Sequence, residues 1–199
     1  GEDTLVLLPT GHGKSLVFQL AALILPGTTL VIEAWRALID DQSRTLENLG
    51  WSRTLAVHRD RQPPPKVDLA QFNLIYIAPE RVYIEKSQSS LEELISARGL
   101  DLLVIDEAHT VSEAGHSFRP SYLGLVERMR SLCAKQGAAE PTVLALTATA
   151  ADVVIRDTCG VLGIASPPVT LLEDETRGNN EQDETWAFVR PNLVDKVVL

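Results

Sequence analysis

One segment near the start of the chain constrains the fold more than any other. An apolar run at 5–8 suits a buried strand, a turn with two glycines follows, and Lys14 and Ser15 then open an apolar segment at 16–25 whose length suits a helix. In such a turn, successive backbone N–H groups point inward beside the positive end of the following helix. The strand, turn and helix are therefore typical of a phosphate-binding loop.

This loop predicts the groups that would hold a polyphosphate. Lys14 is expected to reach the terminal phosphates, and the Ser15 hydroxyl is expected to ligate a bridging Mg²⁺. The full pattern for such loops has an earlier glycine where this chain has Leu8, so a surface turn that happens to carry a lysine stays open. The predicted phosphate-binding residues are Gly11, His12, Gly13, Lys14, Ser15 and Leu16.

An acidic pair forms the second chemical element. Asp106 and Glu107 directly follow an apolar run at 102–105, as a nucleotide triphosphatase requires opposite its phosphate loop. Asp106 is predicted to hold Mg²⁺, and Glu107 is predicted to orient and deprotonate the water that attacks the terminal phosphate. Alternatively, Asp106 caps a following helix and Glu107 is simply solvated.

Apolar runs and helical patterns alternate along the rest of the chain. This alternation predicts an α/β fold with a mostly parallel central sheet, helices on both faces, and ligands at the carboxyl ends of the strands. The helix at 35–49 is expected to bury one face. That face comprises Leu38, Ile39, Gln42, Leu46 and Leu49. The other predicted elements are strands at 28–32, 54–57, 73–78, 102–105 and 142–146 and helices at 91–97 and 151–162.

Composition limits the classes of partner. With a net charge of −9, any nucleic-acid site must be local, because each phosphate contact needs a nearby Lys or Arg. The basic, proline-rich stretch at 58–66 is expected to be an exposed loop, either a solvated connection or a nucleic-acid contact. We expect a soluble, cytoplasmic protein with no membrane partner, since no apolar run approaches a membrane-spanning length. Cys133 and Cys159 are interpreted as packing residues.

Several of these segments resemble a known family. The segments at 8–15, 106–109 and 146–150 are similar to motifs I, II and III of superfamily 2 helicases. The longer segment at 106–122 resembles the RecQ family, in which an aromatic-rich, DNA-sensing loop follows the DEAH box. Further similarities lie at 37–42 (motif Ia), 76–81 (motif Ib) and 190–193, the segment that leaves the first motor domain.

The resemblance implies one RecA-like P-loop NTPase domain at 1–199, the N-terminal motor half of a RecQ-like ATP-dependent DNA helicase that uses ATP and Mg²⁺. A second RecA-like domain is expected to follow residue 199, and this domain alone is expected to turn over ATP very weakly. The implied roles are ATP and metal binding for Lys14, Ser15, Asp106 and Glu107, coupling for His109, Thr147 and Thr149, and single-stranded DNA contact for His116, Phe118 and Arg119. Ordinary roles for the last three, as loop hydrogen-bonder, core anchor and surface ion pair, stay open.

The chain also departs from the family pattern. Ala114 stands where the family usually has tryptophan, and motif Ia opens with Glu33, Ala34 and Trp35 instead of Ser-Pro-Leu. An acidic stretch at 173–184 is interpreted as a mobile surface insertion. These departures keep alternatives open: a duplex translocase, an RNA-directed motor, or an ATP-gated assembly protein that does not separate strands.

Overall fold

A computed structural model describes residues 1–61, 68–114, 118–148, 151–166 and 168–170. His116, Thr149, the predicted insertion at 173–184 and the helicase-like segment at 190–193 lie outside the described residues.

A parallel sheet forms the centre of the fold. In the described part of the chain it has seven strands in the order β3-β4-β2-β5-β6-β1-β7, and every pair of neighbours is parallel. The prediction of a parallel α/β sheet is therefore confirmed. The strands are β1 (Thr4–Leu7), β2 (Thr28–Ile32), β3 (Thr54–Val57), β4 (Leu74–Ile77), β5 (Leu100–Ile105), β6 (Thr142–Thr147) and β7 (Val169–Thr170).

Helices cover both faces of this sheet, as predicted. One apolar cluster includes Phe18 and Ile39 from the first two helices, and the other includes Leu94 and Met129 from the next two. The central strands are apolar on both sides for this reason. The helices are α1 (Lys14–Ile24), α2 (Arg36–Asn48), α3 (Glu85–Arg98), α4 (Leu125–Lys135) and α5 (Asp152–Leu162), with short 3₁₀ helices at Leu69–Gln71, Pro79–Tyr83, Ala108–Val111 and Pro120–Tyr122.

The predicted buried face of α2 is wrong in part. Leu38 is 40% exposed and Leu49, beyond the helix end, is 78% exposed. Ile39 and Leu46 are buried as predicted, and Ser43 is a further buried position. Ser43 can be buried because its hydroxyl donates to Glu47 Oε1 at 3.1 Å, which satisfies the polar group within the helix.

The described start of the basic stretch at 58–66 is exposed at Arg59 and Asp60, as predicted, but not at its first residue. His58 is only 4% exposed, and its Nε2 lies 3.1 Å from Asp40 Oδ1. Arg61 donates to Glu47 Oε1 at 3.0 Å, so acidic side chains of α2 hold this segment against the helix. Part of its positive charge is thereby neutralised, while residues 62–66 lie outside the described residues.

Cys133 is buried in α4 and Cys159 is half-buried in α5, both as free thiols, which agrees with a packing role. Within the described residues, no helix is long and apolar enough to cross a membrane.

Candidate active site

The candidate site lies at the carboxyl ends of β1, β5 and β6. Because β6 stands between the other two strands, the ends of β1 and β5 are two strand spacings apart, about 10 Å. The loops that follow β1 and β5 can therefore meet above the end of β6. These loops carry the predicted phosphate-binding residues and the acidic pair, respectively.

The loop after β1 has the backbone expected of an anion site. Gly11 and Gly13 have φ angles of 82° and 84°, a region that residues with a Cβ seldom adopt. Gly13 caps α1 without any side-chain hydrogen bond. Apart from the Leu16 N–H, which donates to the Gly13 carbonyl at 2.9 Å, the N–H groups of the first helical turn have no acceptor within the helix and are available to a bound anion.

Leu8 explains why the missing first glycine does not disturb this loop. Its side chain is 5% exposed and packs in the apolar cluster that includes Phe18. Its N–H donates to the Thr147 carbonyl at 3.0 Å, which continues the pairing of β1 with β6 by one residue. The chain is still extended at this position, so no left-handed residue is needed there.

Lys14 and Glu107 join the two loops. Lys14 Nζ donates to Glu107 Oε1 at 3.1 Å, and the exposed fractions of the two side chains are only 10% and 22%. An ion pair this shielded is screened less by salt than one on the surface. Predicted phosphate-binding and catalytic residues are thus brought into direct contact.

Glu107 also has an unusual backbone. Its φ of 47° is the single positive value among the non-glycine residues that the structure describes. Its N–H donates to Asp106 Oδ1 at 2.9 Å, and its carbonyl accepts from the N–H and hydroxyl of Thr110 at 3.0 and 2.9 Å. These bonds offset a conformational cost of about 1–2 kcal/mol and fix the direction of the Glu107 side chain.

The pKa values of the two carboxyl groups are shifted in opposite directions. Burial raises the pKa of Asp106, although the bond from the Glu107 N–H opposes this change. The hydrogen bond from His109 lowers the pKa of Glu107, and Lys14 adds to the effect. Glu107 is therefore held as a carboxylate, whereas the buried charge of Asp106 would gain most from a nearby cation.

The residues present fit Mg²⁺ as it is usually bound beside nucleotides. Mg²⁺ needs only one or two protein oxygens there, because phosphates and water complete its coordination. Asp106 and the Ser15 hydroxyl at the start of α1 can supply those oxygens. In the described part of the chain, no group of three or more His, Cys, Asp and Glu could hold a metal by itself, so any ion here would depend on the phosphates.

His109 connects the acidic pair to β6. Its Nδ1 lies 3.1 Å from the Thr147 hydroxyl and 3.3 Å from Glu107 Oε2. Thr147 is 1% exposed and ends β6. His109 therefore connects Glu107 to the end of a buried strand. Two of the three predicted coupling residues are thus in contact, and Thr149 lies outside the described residues.

Two polar residues beside Asp106 were missed by sequence reasoning. The Gln42 side chain, predicted to lie on the buried face of α2, lies beside Asp106 and opposes the rise in its pKa. Glu33 is fully buried just after β2. Its Oε1 accepts from the Trp35 N–H at 2.7 Å, and its Oε2 has no hydrogen-bond partner among the residues that the structure describes. Burial, together with the charges of Asp106 and Glu107, raises the pKa of Glu33 to about 8. The sequence did contain a signal for Gln42, because it is the one polar residue in the predicted apolar face of α2.

The segment after the acidic pair leads away from this cluster. Phe118 is half-buried, and Arg119 donates from Nη1 to the Ala34 carbonyl at 3.3 Å, near the end of β2. Ala114 is exposed, and Asp157 of α5 accepts from the nearby Ser112 hydroxyl at 2.6 Å. The predicted DNA-contact residues are therefore not in contact with Lys14 or Glu107, and His116 lies outside the described residues.

Comparison with known proteins identifies the family. The sequence pattern of the family described as DEAD/DEAH box helicase matches residues 1–157. The RecQ-like DNA helicase blm-1 of Caenorhabditis elegans is 39% identical over 97% of this chain, and this match covers 18% of that protein. The ATP-dependent DNA helicase RecQ of Bacillus subtilis is 33% identical over 99% of this chain and 30% of that protein.

Solved structures agree on the fold. The Hef helicase domain of Pyrococcus furiosus matches 83% of this chain and 34% of its own chain with a TM-score of 0.60 at 23% identity. The helicase MrfA bound to DNA and AMPPNP matches 87% of this chain and 25% of its own with a TM-score of 0.67 at 20% identity. This chain spans about a fifth to a third of the length of the curated relatives named above. It belongs to the DEAD/DEAH box helicase family, as a RecA-like domain homologous to those of RecQ-like helicases.

Proposed function

We propose that this chain is the N-terminal ATP-binding motor domain of a RecQ-like ATP-dependent DNA helicase that couples ATP hydrolysis to movement on and unwinding of DNA. The observation that carries the proposal is the continuous set of contacts from Lys14 through Glu107 and His109 to Thr147, which spans the loops and strand ends above β1, β5 and β6. Both named sequence relatives are DNA helicases.

In this proposal the loop after β1 holds the triphosphate. The backbone amides of Gly11–Ser15 and the Lys14 amine bind its phosphate oxygens, and Lys14 exchanges part of its contact with Glu107 for the ligand. Asp106 and Ser15 hold Mg²⁺, which when bound neutralises charge that builds up on the phosphates. Each of these groups is already fixed by the backbone of the loop or by a hydrogen bond.

Glu107 is the proposed general base. Its lowered pKa keeps it ionised at neutral pH, and release from Lys14 leaves an oxygen free to take the proton of the attacking water. His109 Nδ1 is close to both Glu107 and Thr147, so a change in the partners of Glu107 would alter the contact of His109 with Thr147. His109 and Thr147, with Thr149 beyond them, are the proposed link to DNA and to a second RecA-like domain.

ATP hydrolysis by the full-length protein, measured with no nucleic acid, single-stranded DNA, duplex DNA or RNA, tests this function. We expect the largest stimulation by single-stranded DNA, together with separation of a partial duplex. Stimulation by duplex DNA alone, without strand separation, would favour a translocase. ATP binding with no stimulation by any nucleic acid would favour an ATP-gated assembly protein.

A further inference from the structure

An exposed tryptophan stands beside the candidate active site without a role in it. Trp35 follows β2, precedes the first residue of α2, and is 48% exposed. The guanidinium carbon of Arg119 lies 4.4 Å from the centroid of the Trp35 ring, a distance typical of a cation–π contact. A large aromatic surface is thus held at the protein surface with a cation against it.

Strand order explains why these residues meet. β4, β2 and β5 are neighbours in the sheet, so the segments that follow their carboxyl ends lie side by side. Trp35 follows β2, Glu80 lies in the turn after β4, and Arg119 lies in the segment after β5. Glu80 Oε1 is 4.0 Å from Arg119 Nη1, which also donates to the Ala34 carbonyl.

The indole is held by a firm backbone. The Trp35 N–H donates to the buried carboxyl group of Glu33 at 2.7 Å, and the Trp35 carbonyl accepts from the N–H groups of Leu38 and Ile39 at 3.0 and 3.1 Å. Arg119 is fixed too, because its own N–H donates to the Thr110 carbonyl at 2.9 Å. A rigid aromatic ring loses little conformational entropy when a ligand stacks on it.

The charges near Trp35 indicate that a single strand would bind here by base stacking more than by attraction of its phosphates. Arg119 has a carboxylate within 4.0 Å, and the chain as a whole carries a net charge of −9. A single strand bound here would therefore gain little from phosphate neutralisation alone. Nucleobases stack on aromatic rings whatever their sequence, which is the property that a motor moving along a strand requires.

We propose that Trp35 is a base-stacking residue for single-stranded DNA, with Arg119 holding the indole in place. Trp35 thereby provides the aromatic surface that Ala114 cannot provide in the neighbouring segment. This inference rests on the proposed function and adds to it a residue in which the chain departs from its family, since the usual residue there is leucine.

Equilibrium binding of the full-length protein to labelled oligo(dT) and to an abasic strand of equal length tests the stacking. Trp35→Leu should weaken binding to oligo(dT) by roughly tenfold and leave binding to the abasic strand nearly unchanged, because only the first ligand has bases to stack. Trp35→Phe should retain most of the affinity. The matched control is Trp51→Leu. Half-buried Trp51 precedes the amino end of β3, whereas Trp35 follows the carboxyl end of β2, so this change should not alter the preference for bases.

Two results would overturn the inference. An equal loss on both strands would mean that Trp35 only positions Arg119 for a phosphate contact. Unchanged binding to both strands would mean that DNA does not touch Trp35. Stimulation of the unmodified protein's ATPase by single-stranded DNA is measured alongside, and its absence would count against the proposed function instead.

Discussion

The loops above β1, β5 and β6 differ in kind from a second region, which comprises Trp35 with Arg119 and the exposed Ala114 in the segment after β5. In the first region, Lys14 and Glu107 are largely shielded from solvent and bond to each other across the sheet. In the second region, Trp35 and Ala114 are exposed, and the main contact is between a guanidinium and a ring. The first region follows the helicase motifs closely, whereas the second departs from them twice.

This difference reflects the proposed ligands. A triphosphate has one size and charge, so its site needs a fixed backbone, such as the left-handed glycines after β1 and the strained Glu107. A single strand offers many equivalent bases, so an aromatic surface can be supplied from either of two neighbouring segments. A site built on backbone geometry cannot be rearranged in this way, whereas a stacking surface can.

The largest effect is expected in the first region. Glu107→Gln in the full-length protein should lower ATP turnover by about 10²–10⁴-fold, because the amide keeps the shape of the side chain but cannot accept a proton. Nucleotide affinity, measured by titration with a fluorescent ATP analogue, should change little. Turnover within a few-fold of the unmodified protein would show that another group is the base.

The next effect concerns Glu33, which lies beneath both regions. Its raised pKa means that the folded state holds a proton that the unfolded state releases between pH 4.5 and about 8. The stability contributed by this proton is complete below pH 4.5 and is lost as pH rises through 8. The loss is at most about 5 kcal/mol, since one pKa unit corresponds to about 1.4 kcal/mol.

Urea unfolding of this chain at pH 5 and pH 8 measures the effect. Glu33→Gln should flatten the decline in unfolding free energy, because Gln can still accept from the Trp35 N–H but does not titrate. The raised pKa of Asp106 also makes the unfolding free energy decline with pH, in the unmodified protein and in the variant alike. The difference between the two pH profiles therefore reports on Glu33. Parallel pH profiles would show that the carboxyl group of Glu33 is not protonated in the folded state.

A smaller effect is expected when an aromatic residue is restored in the second region. Ala114→Trp in the full-length protein should raise the stimulation of ATPase by single-stranded DNA several-fold, since a stacked base contributes about 1–3 kcal/mol. Ala114 is exposed, so the larger side chain should cost little stability. Identical stimulation and DNA affinity in the two proteins would show that this position does not meet DNA.

The smallest effect is expected at Asp157. Its carboxylate accepts from the Ser112 hydroxyl, which in turn accepts from the Ala114 N–H at 3.1 Å, and the bond from Ser112 is the main cause of the lowered pKa of Asp157. Asp157→Asn should loosen this segment and raise the DNA concentration that half-activates the ATPase by about two- to fivefold, as expected for roughly 1 kcal/mol of hydrogen bonding. An unchanged half-activating DNA concentration would show that the segment of Ser112 and Ala114 does not take part in DNA sensing.

Much of the fold could be predicted because its signals are local. The apolar runs gave β2 and β3 with their observed bounds, and β4 to within a residue at each end. α4 was indicated only by the helical look of the segment around Cys133, without bounds, because charged residues interrupt its apolar positions, which become regular only once the buried residues are known. Those residues are Leu125, Val126, Met129, Leu132 and Cys133.

The candidate site divides in the same way. Lys14, Asp106, Glu107 and His109 belong to contiguous motifs, so their chemistry could be predicted before their positions were known. Contacts between residues that are far apart in the sequence could not be predicted, because no contiguous motif indicates them. These contacts are Gln42 with Asp106, Trp35 with Arg119, and Asp157 with Ser112.

The central claim is that the loop after β1 binds a triphosphate and that Lys14 and Glu107 respond to it. A crystal structure of the full-length protein with Mg²⁺ and a non-hydrolysable ATP analogue tests this claim most directly. We expect the phosphates on the amides of Gly11–Ser15 and Lys14 Nζ turned from Glu107 toward them. An analogue bound elsewhere, or bound with the 3.1 Å contact between Lys14 and Glu107 unchanged, would contradict the account.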